Sequence, residues 1–130
     1  MEKDLLHYFL PEKLLEHFTI TDFLELGDII SKKTIFHIHL EENNNLPPGF
    51  DPNHYESKGF FPSKTIQDFP IRGKAVYLVI KRRRWRHKDR KNEIIYNDYS
   101  FIAEGFKLTK ELSVFLKGTG RYKGGYNIEY

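Results

Sequence analysis

Apolar residues fall at two different spacings along this chain, and the changes of spacing mark out its elements. In residues 2–18, Leu5, Leu6 and Phe9, then Leu14, Leu15 and Phe18, recur three or four apart, which predicts one or two short helices. Pro11 breaks a continuous helix but suits the first turn of a second one. Residues 21–41 predict a strand pair with its turn at Asp28 to Lys33. In the second strand Phe36, Ile38 and Leu40 alternate with His37, His39 and Glu41. Residues 42–54, ENNNLPPGFDPNH, carry the Pro, Gly and Asn of a loop. An extended stretch from Tyr55 to Pro70 follows, then a turn at Ile71-Arg72-Gly73-Lys74. Residues 75–86, AVYLVIKRRRWR, predict a long strand, 87–92 a polar turn, and 93–103 the returning strand of a hairpin. Thr109 is placed to cap a short helix with Leu112, Phe115 and Leu116 on its apolar face and Glu111 in its first turn. The Gly-rich segment 118–130 is expected to be a flexible tail. The pattern predicts a single α+β domain over 1–130. Its parts are a twisted antiparallel sheet of four to five strands, a projecting basic β-hairpin, and short N-terminal and C-terminal helices.

The strand at 75–86 changes character halfway. Strict alternation puts Val76, Leu78, Ile80, Arg82, Arg84 and Arg86 on one face, and Ala75, Tyr77, Val79, Lys81, Arg83 and Trp85 on the other. Both faces are apolar at first and basic afterwards. The expectation is therefore a strand of about 40 Å, covered on both sides over its first half and standing out of the core over its second. In that arrangement Trp85 is exposed and free to stack.

Composition sharpens this picture. The chain has 130 residues, 39% of them hydrophobic, 30% charged and 15% aromatic, which is globular rather than disordered. It has no cysteine, so disulfides and thiolate metal sites are excluded. Charge is segregated: residues 1–56 carry four Lys/Arg against eleven Asp/Glu, and residues 57–130 carry seventeen against seven. Residues 72–91 hold ten Lys/Arg and one Asp. Such a density repels itself unless counter-ions or phosphates neutralise it, so the basic part 57–117 is expected to meet a polyanion. A two-stranded ribbon fits the major groove, where Arg contacts guanine edges. The bland alternative is a solvated charged hairpin with Trp85 capping the edge of the core.

Other chemistry is sparse. His37 and His39 share one strand face, but two imidazoles without a third ligand make a weak metal site, so no metal and no cofactor is expected. Asp68, Glu93, Asp98 and Glu104 are scattered single acids rather than a two-metal cluster. No phosphate-cradling Gly loop, Ser/His/Asp order or nucleophilic Cys is present, and no enzyme activity is expected. There is no signal-peptide apolar run, and no stretch approaches the roughly eighteen apolar residues that span a membrane. A cytoplasmic, nucleoid-associated bacterial protein is expected.

The run SKGFFPSKTIQDFPIRGKAVYLVIKRRRWR, residues 57–86, resembles the N-terminal region of bacterial insertion-sequence transposases. The pieces that carry the likeness are Thr65 to Pro70, Arg72-Gly73-Lys74, Val76-Tyr77-Leu78 and Lys81 to Trp85. It continues more loosely through Lys107 to Glu111 and Phe115-Leu116-Lys117. In that family the region is similar to a zinc ribbon that precedes helix-turn-helix elements and an Asp/Asp/Glu catalytic domain, and such modules read the element ends. Here the family's Cys pairs are replaced by the 42–54 loop and by Trp85-Arg86-His87. Zinc is therefore not expected, and packing of Phe60, Phe61, Phe69 and Tyr77 is expected to hold the ribbon. Some family members encode this region as a separate reading frame, which implies a catalytic transposase subunit as partner.

The expected function is that of a DNA-binding module of an insertion-sequence transposition system, with double-stranded DNA as partner and no membrane contact. Arg82, Arg83, Arg84 and Arg86 are the expected phosphate and groove contacts, flanked by Lys81, Lys88, Arg90 and Lys91. Trp85 is expected to stack or to orient the arginines, and Arg72 and Lys74 to clamp phosphate. Two other readings stay open: a protein-interaction subunit that docks the catalytic chain, and RNA binding through aromatic stacking.

Overall fold

A computed structural model describes residues 6–27, 29–105 and 108–117. The elements run α1 (Glu12–His17), β1 (Phe18–Gly27), β2 (Thr34–Glu42), β3 (Tyr55–Phe60), β4 (Lys64–Ile71), β5 (Lys74–Lys81), β6 (Arg83–His87), β7 (Ile94–Ile95), α2 (Ser100–Gly105) and α3 (Lys110–Lys117). They form a four-stranded sheet in the order β1-β2-β5-β4 and a three-stranded sheet in the order β3-β6-β7.

The larger sheet follows from the period-two pattern. Phe36, Ile38 and Leu40 of β2 and Val76, Leu78 and Ile80 of β5 turn to one side and are buried there against Leu14, Tyr99, Ile102, Leu112 and Leu116. Each such side chain, fully covered, contributes about 1.5–3 kcal/mol. The helices are short and stay in place because their apolar stripes lie on this face. Pro11 seats the first turn of α1, its carbonyl accepting from Leu14 N at 3.1 Å. Thr109 Oγ1 accepts from Leu112 N at 3.3 Å at the start of α3, and the same hydroxyl donates to Gln67 O at 3.1 Å. Glu111 accepts from Gln67 N at 3.0 Å, so the start of α3 occupies the outer edge of β4. Arg72 (φ 50°) and Gly73 (φ 77°) both take positive φ between paired Ile71 and Lys74, the tight turn that matches strand twist.

The α+β class is as expected; its details differ in three ways. β2 and β5 pair in parallel, Ile38 opposite Leu78, rather than antiparallel. The 42–54 loop with β3 and β4 supplies the long crossover that a parallel pair needs. The returning strand expected at 93–103 is reduced to Ile94–Ile95, and residues 100–105 are helical because Ile102 belongs to the core. The far face of β5 is half-covered rather than sealed: Ala75, Tyr77 and Val79 lie beside His37 and His39 without a second layer of described residues. The 118–130 tail lies outside the described residues, and none of the described helices is long and apolar enough to cross a membrane.

Asp68, on the core side of β4, is buried, and that burial pushes its carboxyl above the usual range, opposed by a hydrogen bond to Phe69. A group whose folded pKa is raised stabilises most below its unfolded pKa of about 4, and the contribution is lost as pH rises through the folded value. Asp68→Asn should therefore melt higher than the native protein near pH 7, with the gap closing below about pH 4 in thermal melts. Equal melting at both pH values would mean that Asp68 is ionised at no cost.

Candidate nucleic-acid interface

The basic strand does not run straight out of the core. β5 ends at Lys81, Arg82 belongs to neither ladder, and β6 begins at Arg83 in the other sheet. The buried positions are Val76, Leu78, Ile80 and Arg82, then Trp85 and His87, so the alternation slips by one residue at Arg82. Two observations fix the slip. Phe61 N donates to Arg82 O at 2.8 Å, and Gly59 (φ 81°) sits in the bulge of β3 opposite Arg84.

The slip sorts the cationic side chains into two sets. Arg82, 4% exposed, points inward: its guanidinium donates to Asn97 O and lies over the Tyr99 ring at 5.3 Å and the Phe115 ring at 5.9 Å. Arg83 donates from Nε to Glu42 O at 3.2 Å and from Nη1 to Ser57 Oγ at 3.2 Å, and covers the Phe60 ring at 4.5 Å. Trp85, 2% exposed, is paired with Ser57 across the ladder and donates from Nε1 to Asn44 Oδ1 at 2.8 Å. The expected exposed, stacking Trp85 is therefore wrong, and the basic hairpin is the short β6–β7 pair, Trp85 opposite Ile95 and Arg86 opposite Ile94. The 42–54 loop folds over this side of the sheet and encloses the indole.

The other side of β6 is outward. Arg84 donates from Nε to Lys58 O at 3.3 Å and rests on the Phe61 ring at 5.5 Å, both neutral contacts, and no carboxylate among the described residues pairs with it. Arg86 pairs with Glu56 directly across the ladder, Nη2 to Oε2 at 3.1 Å. Lys91 reaches the same carboxylate oxygen at 3.5 Å. Arg86 and then Lys91 hold Glu56 below the usual carboxylate range, so it is ionised and balances part of their charge. Lys58 and Lys88 are exposed, and Lys88 N donates to His54 O at 2.8 Å at the start of the turn. Arg90 is tied to Glu93, Nε to Oε1 at 2.9 Å, which keeps Glu93 ionised.

The remaining expected contacts lie elsewhere. Lys81 is on the half-covered face of the larger sheet, 3.9 Å from Glu41. Arg72 and Lys74 form the turn at the opposite end of β5, about 25 Å from β6 at the rise of a strand. The structure thus gathers Lys58, Arg84, Arg86, Lys88 and Lys91 on one side of the small sheet and separates them from Arg72, Lys74 and Lys81. Lys58 does not stand out in the sequence because it lies in the extended stretch Tyr55 to Pro70, apart from the basic run; only the pairing of β3 with β6 brings it beside Arg84. Of the four phenyl and phenol rings expected to hold the ribbon, Phe60 and Phe61 do so. Phe69 is half exposed on β4, and Tyr77 packs on His37 at 5.6 Å in the other sheet.

Glu42 was also overlooked. It is 1% exposed at the end of β2, where Oε1 accepts from Arg83 N at 2.8 Å and Oε2 from Asn97 Nδ2 at 2.9 Å and from the Tyr99 hydroxyl. Burial, with the Glu42 carboxylate beside it, pushes the Tyr99 phenol far above its ordinary range, so it stays a donor. Among the described residues, no three His, Cys, Asp or Glu side chains are grouped to share a metal ion.

Trp85→Ala should cost about 3–5 kcal/mol of stability in denaturant unfolding, as for a large buried ring. The native protein should emit with the blue-shifted maximum of an enclosed indole; a red-shifted maximum with a loss under about 1 kcal/mol would contradict the enclosed position. Comparison with known protein families, curated proteins and solved structures finds no match to this chain.

Proposed function

We propose that this chain is a DNA-binding module of an insertion-sequence transposition system, recognising element ends and relying on a separate polypeptide for catalysis. The observation that carries the DNA contact is the outward set on one side of the small sheet: Lys58, Arg84, Arg86, Lys88 and Lys91, of which Arg86 and Lys91 share the carboxylate of Glu56. Phosphates running past that surface replace its counter-ions, and their release drives association. Arg84, held at Nε by a carbonyl and packed on Phe61, keeps its terminal nitrogens for a phosphate or a guanine edge. The transposition context rests on the resemblance of residues 57–86, and nucleoid association follows from duplex binding.

A second reading has its own support. The β1–β2 hairpin exposes Leu24 and Leu26 along its strand and Ile29 and Ile30 at its tip, the last two 90% and 93% exposed. An apolar tip on the acidic half of the chain, remote from the cationic surface, suits a protein contact such as a catalytic transposase subunit.

The two readings divide on salt dependence. With part of the charge balanced by Glu56, about four to five phosphates are contacted, and log affinity for duplex should fall with log salt at a slope of about −4. Replacing Lys58 and Arg84 together by Ala should make the slope shallower by about 2 without loss of folding. A native slope shallower than about −2 would leave phosphate neutralisation without a role and favour the protein-docking reading.

A further inference from the structure

The 42–54 loop that encloses Trp85 does not close completely. Between it and the inner side of the small sheet lies an open cleft of about 580 Å³, floored by Tyr55 and Trp85 and walled by Pro47, Pro48 and Phe50. That volume is within the roughly 300–1,000 Å³ typical of small-molecule sites. Its walls are tethered at both ends. Asn43 N donates to His17 O at 2.8 Å, Asn45 O accepts from Asn97 Nδ2 at 3.0 Å, and His54 O accepts from Lys88 N at 2.8 Å. A cleft so held is formed before any ligand arrives, which lowers the cost of binding.

The lining has a specific chemistry. Phe50 is 40% exposed, its ring nearly perpendicular to that of Tyr55 with centroids 5.3 Å apart, so part of its surface is left for a flat partner. Asn44 and Asn45 bring amide edges; the Asn44 oxygen is occupied by Trp85, which leaves its NH₂ group to donate. The residues lining the cleft carry no formal charge, but Ser57 at its margin accepts from the Arg83 guanidinium, whose side-chain hydrogen bonds go to a carbonyl and a hydroxyl rather than a carboxylate. A flat group with polar edges and one attached negative charge complements these features.

We propose that this cleft takes a single unstacked nucleotide of a DNA strand, its base laid on Phe50 with its edge toward Asn44 and Asn45 and its phosphate toward Arg83. The inference deepens the DNA-binding reading: the outward cations hold duplex, and the cleft takes a base released at a frayed or overhanging end. A neutral proline-rich peptide would leave the Arg83 charge unused and is disfavoured on that ground. Stacking on an exposed ring is sequence-tolerant, so the site would sense strand ends rather than base identity.

The test compares a blunt duplex with the same duplex carrying a short single-stranded overhang, using the full chain and its Phe50→Ala and Phe50→Trp variants. The native chain should bind the overhang duplex about 10-fold more tightly, the value of one stacked base, with quenching of Trp85 that blunt duplex does not produce. Phe50→Ala should abolish the preference and leave blunt-duplex affinity unchanged, while Phe50→Trp should retain it. Free dAMP should compete for the overhang only weakly; tighter binding of dAMP than of the overhang would assign the cleft to a free nucleotide and overturn the proposal. Equal affinity for both duplexes, or a preference that survives Phe50→Ala, overturns it as well. Blunt-duplex binding without an overhang advantage removes the cleft and keeps the cationic surface; the reverse pattern removes the cationic surface and keeps the cleft.

Discussion

A carboxylate buried where two sheets meet governs the arrangement of everything around it. Glu42 ends β2 of the larger sheet, yet its oxygens are held by the Arg83 amide of the smaller sheet and by Asn97 and Tyr99 ahead of α2. A buried carboxylate is costly unless its lone pairs are filled, and removing one neutral donor from such a group costs about 1–3 kcal/mol. Three donors from two separate segments fill it here. The requirement pulls β6 out of line with β5, because the Arg83 amide must face Glu42 instead of continuing the ladder with β2.

The consequences run directly to the surface. Once Arg83 is turned to Glu42, the alternation restarts, and Trp85 and His87 go inward while Arg84 and Arg86 go outward. Arg82, at the break, has to be accommodated inside, and the faces of Tyr99 and Phe115 receive its guanidinium. The enclosed indole is roofed by the 42–54 loop, which leaves a cleft lined by Phe50. One internal hydrogen-bonding constraint thus decides which cations meet solvent and which aromatic ring is open to a ligand.

Much of this was legible in the residues, and the failures have physical causes. The alternation of 36–40 and 76–80, the 42–54 loop, the turn at Arg72-Gly73 and the Thr109 cap are local signals, and each is found where its chemistry places it. The phase slip at Arg82 is not local. In RRRWR, cations stand at both parities, so alternation alone assigns either phase; only the long-range contact with Glu42 selects one. Glu41 and Glu42 look alike in sequence, and the strand parity that buries the second needs the core side of β2 to be known. The parallel pairing of β2 with β5 is likewise a property of the crossover, which no local pattern encodes.

The most direct test is to replace Arg82, Arg83, Arg84 and Arg86 by Gln one at a time and to measure both melting temperature and duplex affinity for each. Arg82→Gln and Arg83→Gln should lower the melting temperature while the folded fraction retains most of its affinity. Arg84→Gln and Arg86→Gln should weaken duplex binding several-fold with little change in melting, the cost of about one phosphate contact each. Four variants that lose affinity equally and melt alike would describe a freely projecting ribbon, and would contradict the slip at Arg82.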